Sequence, residues 1–350
     1  MILGDVSTGR ENNLNFMRFV AASLVIFSHC VPFSLGKGNS DVLNTFSKGE
    51  MTFGGLAVSL FFFFGGFLIA RSVQRTKTAK DYFKARLIRI IPCLFVVVAL
   101  CALVLGPIIT TLSLKEYYTN VGTYKYLLNS VFILVHNLPG VFTENVFDAS
   151  VNGPLWTLPV EFLCYVACFV VYKLGLLDEK KLKWTIPVVL VGYVGVWYIF
   201  HTNTVLFAAV RPALLFYIGM LCYVYRDKIK LNGKVAMLCV VGYLLSCMLG
   251  ILKITVYFLL PYIFLCLAFG TKKKLSKFGS KAEISYGMYL LGSPIQQTIT
   301  MLFGGSMIPA VNFVIALPID ILLAYLLWML VERPINKFIH KSNKKEQANG

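Results

Sequence analysis

Asn15-Phe16-Met17-Arg18-Phe19-Val20-Ala21-Ala22-Ser23-Leu24-Val25-Ile26-Phe27-Ser28-His29 is the first long apolar stretch of the chain, and it carries two ionisable side chains. An ionisable group inside a membrane-length apolar run is expensive and marks function by default. Eleven residues at about 100° each return a helix to within about 20° of its starting azimuth, so Arg18 and His29 share one stripe, roughly 16 Å apart along the axis. That stripe connects one membrane edge to the interior.

The rest of the chain supplies the solvent for this helix. Over 350 residues, 57% are hydrophobic, 14% are charged and the mean hydropathy is +0.73, values of a polytopic membrane protein rather than a soluble enzyme. Apolar stretches long enough to cross about 30 Å of hydrocarbon lie near 14–35, 52–72, 87–109, 155–172, 184–200, 205–225, 235–252, 254–270, 283–303 and 309–331. An eleventh stretch, 127–138, is short and ends in Asn137-Leu138-Pro139-Gly140, which reads as a partial or re-entrant segment. The expected fold class is therefore an all-α polytopic membrane protein of about ten transmembrane helices plus that one partial segment.

The net charge of +17 would suggest nucleic acid in a soluble chain, but here the basic residues fall in short runs between apolar segments, and no nucleic-acid role is assigned. With ten spans and a cytoplasmic N-terminus, inside segments hold 27 of the 33 Lys and Arg, Arg18 included. Counting 127–138 as a full crossing would put later basic clusters outside. Both termini are thus expected in the cytoplasm. The first apolar run contains Arg18 and His29 and lacks a small-residue cleavage site, so it reads as a retained span. No internal repeat is visible. Residues 1–335 read as one membrane domain and 336–350 as a basic cytoplasmic tail.

Several phrases recur in order along the chain. Arg18 and His29 form an Arg/Lys-x10-His pair, and Ser59-Leu60-Phe61-Phe62-Phe63-Phe64-Gly65-Gly66-Phe67-Leu68-Ile69 follows in the second span. Then come Lys84-Ala85-Arg86-Leu87-Ile88-Arg89-Ile90-Ile91-Pro92, Asn152-Gly153-Pro154-Leu155-Trp156-Thr157-Leu158-Pro159-Val160-Glu161 and Ser285-Tyr286-Gly287-Met288-Tyr289-Leu290, with Val331-Glu332-Arg333-Pro334 at the end. Together, over residues 12 to 335, these resemble the acyltransferase-3 family of integral membrane O-acyltransferases, which modify bacterial polysaccharides and other extracytoplasmic acceptors. The chain departs from the family pattern where Gly65 replaces the usual serine and Asn15 a frequent aspartate.

His29 is the candidate base, since acyl transfer to an alcohol needs a group that takes a proton near neutral pH; the plainer reading is a histidine hydrogen-bonded to a neighbouring helix. Glu161, in the span at 155–172, needs a partner in hydrocarbon and is the second catalytic candidate, orienting or charge-stabilising His29; Thr157 shares its face and Trp156 does not. Trp156 reads as a substrate-site candidate or an interfacial aromatic. Arg86 and Arg89, three apart at a helix start, read equally as phosphate ligands or as flanking topogenic charges like Arg71, Arg75, Lys77, Lys80 and Lys84. The resemblance assigns Arg86 and Arg89 to the phosphates of acetyl-CoA.

Arg18 reads as a guide for that donor or as a snorkelling arginine. Arg211, followed by Pro212, is a further substrate-site candidate; it and Asp320 either pair with each other or with substrate groups. Tyr286 and Glu332 read as structural, and His136, His201 and His340 as non-catalytic. The nine cysteines form no Cys-x-x-Cys pair and read as packing residues, so no metal is expected.

The resemblance implies O-acylation, foremost O-acetylation, of a hydroxyl on a cell-surface polysaccharide or its lipid-linked precursor, by a protein among the lipids of a bacterial inner membrane. Acetyl-CoA would enter from the cytoplasm as cosubstrate, and either direct attack or an acetyl-histidine intermediate fits the residues. The chain stops before the soluble hydrolase-like domain some relatives carry, so the membrane domain is expected to complete the transfer. Outer loops 35–51, 110–126 and 139–153 are expected to select the acceptor. The rival reading is a transporter or permease for a lipid-linked sugar or small solute, with the polar residues as its path, and a third is a non-catalytic structural protein; no inverted repeat supports transport.

Overall fold

A computed structural model describes residues 1–9, 11–76, 78–147, 150–200, 204–271 and 275–339. Lys77, His201, His340 and most of the tail at 336–350 lie outside the described residues. Ten principal helices follow one another: α1 (Leu14–Leu35), α2 (Phe53–Val73), α3 (Ala79–Leu100), α4 (Thr157–Lys173), α5 (Thr185–Phe200), α6 (Thr204–Val224), α7 (Gly233–Leu249), α8 (Leu252–Leu265), α9 (Ser285–Leu302) and α10 (Pro309–Leu327). Among the described residues there is no strand, only an isolated bridge between Ile2 and Lys230.

Each apolar stretch read from the sequence overlaps one of these helices, although α3 begins at Ala79, eight residues ahead of the stretch at 87–109. Among the described residues, six segments are long and apolar enough to cross a membrane: Leu14–Leu35, Phe53–Val73, Ala79–Ile109, Gly153–Lys173, Leu252–Gly270 and Pro309–Ile339. Leu182–Val196, Ala208–Val224 and Gly233–Leu249 are apolar but shorter. α9 carries too many polar residues to rank with the six, because Ser293, Gln296, Gln297 and Thr300 are buried against protein rather than exposed to lipid. Residues 127–138 do not form a spanning helix. A 3-10 turn, Tyr126–Val131, ends at Phe132 in the left-handed region (φ 66°), and the Asn129 side chain then ties Tyr126 to Val135.

The chain divides into two compact units. The first contains Met1–Leu24, Asp41–Tyr82 and Thr157–Phe278; the second contains Val25–Ser40, Phe83–Trp156 and Gly279–Gly350.

In the first unit α2 is the central helix. Thr52 starts it by accepting from the Gly55 amide (2.9 Å), and buried Asp41 accepts from the Phe53 amide (2.9 Å). A helix apolar on all sides belongs in the interior. Phe62, Phe63, Phe64 and Phe67 are buried, with Phe67 edge-on to Tyr223 (5.5 Å) and Phe63 beside Phe264 (6.0 Å). α6 packs along α2 at backbone distance: a methyl on Gly66 would overlap the Phe216 carbonyl, and one on Gly219 would overlap the Phe63 carbonyl. Small residues permit such approach where no water drives helices together. The N-terminal residues also join this unit, since Arg71 donates to the Ser7 and Thr8 carbonyls (2.9 and 2.7 Å) and Leu231 donates to the Met1 carbonyl (2.8 Å).

In the second unit α9 is the hub. Gln296 donates to the Ile26 carbonyl of α1 (2.9 Å) and to Asn312 of α10 (2.9 Å), while Asn312 donates back to the Gln296 carbonyl (3.1 Å) and to Thr300 (3.0 Å). Gln297 donates to the Phe147 and Ser150 carbonyls (2.7 and 3.0 Å) and accepts from Asn145 (2.8 Å), fastening the 139–153 loop. Gly287 lies against Ala324, and Tyr286 donates to the Ile90 carbonyl of α3 (3.0 Å). Asp320, fully buried in α10, has neither carboxyl oxygen hydrogen-bonded among the described residues.

The α2–α6 contact makes a sharp prediction. Gly66→Ala or Gly219→Ala should overpack the seam by about 1–3 kcal/mol, lowering the thermal midpoint of the detergent-solubilised protein followed by size exclusion. Gly65→Ala should melt close to wild type, because a methyl there meets only the Phe216 ring at an ordinary 3.4 Å.

Candidate functional site

The C-terminal half of α1 presents His29, half-buried, in the second unit. Its Nδ1 is 2.8 Å from the Val25 carbonyl oxygen one turn back. A carbonyl only accepts, so Nδ1 is assigned the proton and, in the neutral ring, Nε2 carries the lone pair. Phe33 stacks on the imidazole one turn further on (centroids 5.5 Å, 24° between planes), and Phe147 meets Phe33 edge-on at 5.1 Å. Ring and tautomer are therefore both set by neighbours, as a base requires.

The turn Gly153–Trp156 is pinned to α9 at two points. Pro294 has no N–H, so the Leu290 carbonyl four residues earlier loses its helical donor. The Asn152 side-chain amide takes that place, donating to Leu290 O at 2.7 Å. Tyr289 then donates to the Pro154 carbonyl at 2.8 Å. Trp156, half-buried, ends this anchored turn. Two separate sequence phrases are thereby one structural joint.

On α3 of the same unit, Arg86 is half-buried and Arg89 exposed. Glu332, in a π turn at Trp328–Glu332, lies within electrostatic reach of Arg89 and of Glu283. The terminal Glu332-Arg333-Pro334 phrase thus brings acidic charge to the arginine helix.

The first unit holds Arg18, Glu161 and Arg211. Arg18 is half-buried on the same continuous helix as His29, which preserves the common stripe. Glu161 is half-buried on α4 and accepts a hydrogen bond from the Tyr165 hydroxyl. Tyr165 is held in turn, because the fully buried Tyr82 donates to its carbonyl (2.9 Å) while stacking on Phe169 (5.3 Å). Tyr165 is the functional-site neighbour that sequence reasoning passed over. Its signal was the i, i+4 spacing from Glu161, together with the lean of helical side chains toward the N-terminus. Arg211 reaches Met51 and Tyr257 on the same unit.

Comparison with known proteins bears on the whole chain. An O-acetyl transferase of Shigella phage Sf6 is 27% identical over 349 residues, covering 96% of this chain and 98% of that protein. Nodulation protein 10 of Rhizobium leguminosarum bv. viciae is 32% identical over 165 residues, 46% of this chain and 44% of that protein. No solved structure matches. A family profile described as an acyltransferase domain matches residues 11–331, from ahead of α1 to beyond the end of α10. With His29, Arg86, Arg89 and Glu161 all inside that match, this multi-pass membrane protein belongs to the acyltransferase-3 family.

Proposed function

We propose that the protein moves an acetyl group from cytoplasmic acetyl-CoA to a hydroxyl of a cell-surface polysaccharide or its lipid-linked precursor, in a bacterial inner membrane with both termini in the cytoplasm. The observation that carries this reading is the His29 Nδ1 contact with the Val25 carbonyl, which directs the ring's lone pair to Nε2. The full-length similarity to a protein named O-acetyl transferase supports the reaction class. The concentration of Lys and Arg in alternate loops supports the orientation.

In the proposed reaction His29 Nε2 removes the acceptor hydroxyl proton as the oxygen attacks the thioester carbonyl. The C–S bond then breaks, and the imidazolium returns its proton to the departing thiolate. No net proton is released. By the family resemblance Glu161 is assigned as the second catalytic group, its carboxylate accepting from the Tyr165 hydroxyl. Arg86 and Arg89 are assigned to the donor's phosphates, which guanidinium groups match bidentately, and Arg18 to guiding the donor along the α1 stripe. Trp156, on its anchored turn, is assigned to the acceptor.

Proton NMR of surface polysaccharide from cells expressing wild type or His29→Ala at matched membrane levels tests this directly. O-acetyl signals are expected with the wild type and not with the variant. Equal signals from both would remove His29 from the chemistry, and absence of signal from both would favour transport. In membranes, Arg86→Gln or Arg89→Gln should raise the KM for acetyl-CoA about tenfold or more, the cost of one charged hydrogen bond, with a smaller change in kcat. An unchanged KM would make the two arginines topogenic charges only.

A further inference from the structure

Arg211 stands in the second turn of α6, about 10 Å along the helix from its first residue, Thr204. Its Nη1 meets the Met51 sulfur at 3.5 Å, and a thioether is a weak acceptor. It also lies within electrostatic reach of the Tyr257 and Tyr243 hydroxyls. Tyr243 is buried beside Cys247, and its hydroxyl finds no hydrogen-bond partner among the described residues. Glu50, the acidic residue next to Met51 in the chain, accepts from the Lys253 amide instead (3.0 Å). Among the described residues no carboxylate pairs with Arg211.

A guanidinium within a membrane span costs about 2.5–3.5 kcal/mol at the helix centre unless something offsets its charge. Here the protein supplies neutral oxygen and sulfur. The position is also informative: Arg211 follows the start of α6, Tyr243 precedes the end of α7, and Tyr257 follows the start of α8. These three helix ends face the outer leaflet in the orientation proposed above, on which this inference rests. Helical side chains lean toward the N-terminus, so the Arg211 arm rises toward the headgroup level. A fork of N–H donors beside an unused phenolic O–H, at that depth, suits a tetrahedral oxyanion better than a neutral sugar.

We propose that Arg211, Tyr243 and Tyr257 form a binding site for a lipid phosphate of the outer leaflet. The phosphate belongs either to bulk phospholipid or to a polyprenyl carrier of the acceptor glycan. A carrier held there would present its glycan on the outer side and make the lipid-linked precursor the acceptor.

The test uses the full-length protein in detergent, native mass spectrometry, and three probes: polyprenyl phosphate, phosphatidylglycerol and uncharged diacylglycerol. Wild type should retain polyprenyl phosphate, Arg211→Gln should bind it at least about tenfold more weakly, and Tyr243→Phe, which removes one oxygen and spares the fold, several-fold more weakly. Preference for polyprenyl phosphate over phosphatidylglycerol identifies the carrier. Equal retention of both, with the same losses, identifies bulk lipid phosphate. Retention unchanged in Arg211→Gln and Tyr243→Phe, or diacylglycerol held as well as the phosphates, overturns the site. No acetyl-CoA is present, so a failure of acetyl transfer in cells leaves this result standing and fails separately.

Discussion

The hydrogen bond from the Asn152 amide to the Leu290 carbonyl shows the constraint on which the second unit depends. Within hydrocarbon a backbone carbonyl without a donor costs several kcal/mol, and Pro294 creates such a carbonyl in the middle of α9. Asn152 repairs the loss from outside the helix, and doing so fixes the turn that carries Trp156. Tyr289, Gln296 and Gln297 repeat the pattern, each side chain satisfying a carbonyl of a different segment. α9 is polar because it holds α1, α10 and the 139–153 loop by directed bonds, where lipid offers no hydrophobic drive to assemble them.

The same economy explains how much could be read in advance. Helix positions were largely legible because apolar length is dictated by the bilayer: each of the ten stretches overlaps a helix, and six segments are long and apolar enough to cross a membrane among the described residues. The short segment at 127–138 was legible for the same reason, since its Pro139-Gly140 ending denies it a crossing. What the sequence hid was which helices are interior. The hydropathy of α2 and α10 is similar, yet α2 is enclosed by protein. The glycine pair in α2 is visible in the sequence, where Gly65 is the member that departs from the family pattern. The backbone contact is at Gly66.

Candidate site residues stand out where a charge lies in an apolar run: Arg18, His29, Glu161 and Arg211 announce themselves by their cost. Their partners were not, because a tyrosine or asparagine in a membrane helix looks like any other packing residue. Tyr165, which binds Glu161, and Asn152, which completes α9, emerge only from three-dimensional placement. The tautomer of His29 was equally hidden, since it depends on a carbonyl one turn away. Arg211 and Asp320, for which the sequence allows either mutual pairing or contacts with substrate groups, belong to different units; within the first, Arg211 meets the Met51 sulfur.

In the proposed function one multi-pass chain takes an acetyl group on its cytoplasmic face and delivers it to an acceptor outside. Sealed membrane vesicles of known orientation, loaded with acceptor glycan and given radiolabelled acetyl-CoA on one side only, measure this most directly. Label in glycan is expected when the donor meets the cytoplasmic face, and none when it meets the outer face. Label from outer donor alone, or no label in either orientation with protein and acceptor both present, would contradict it.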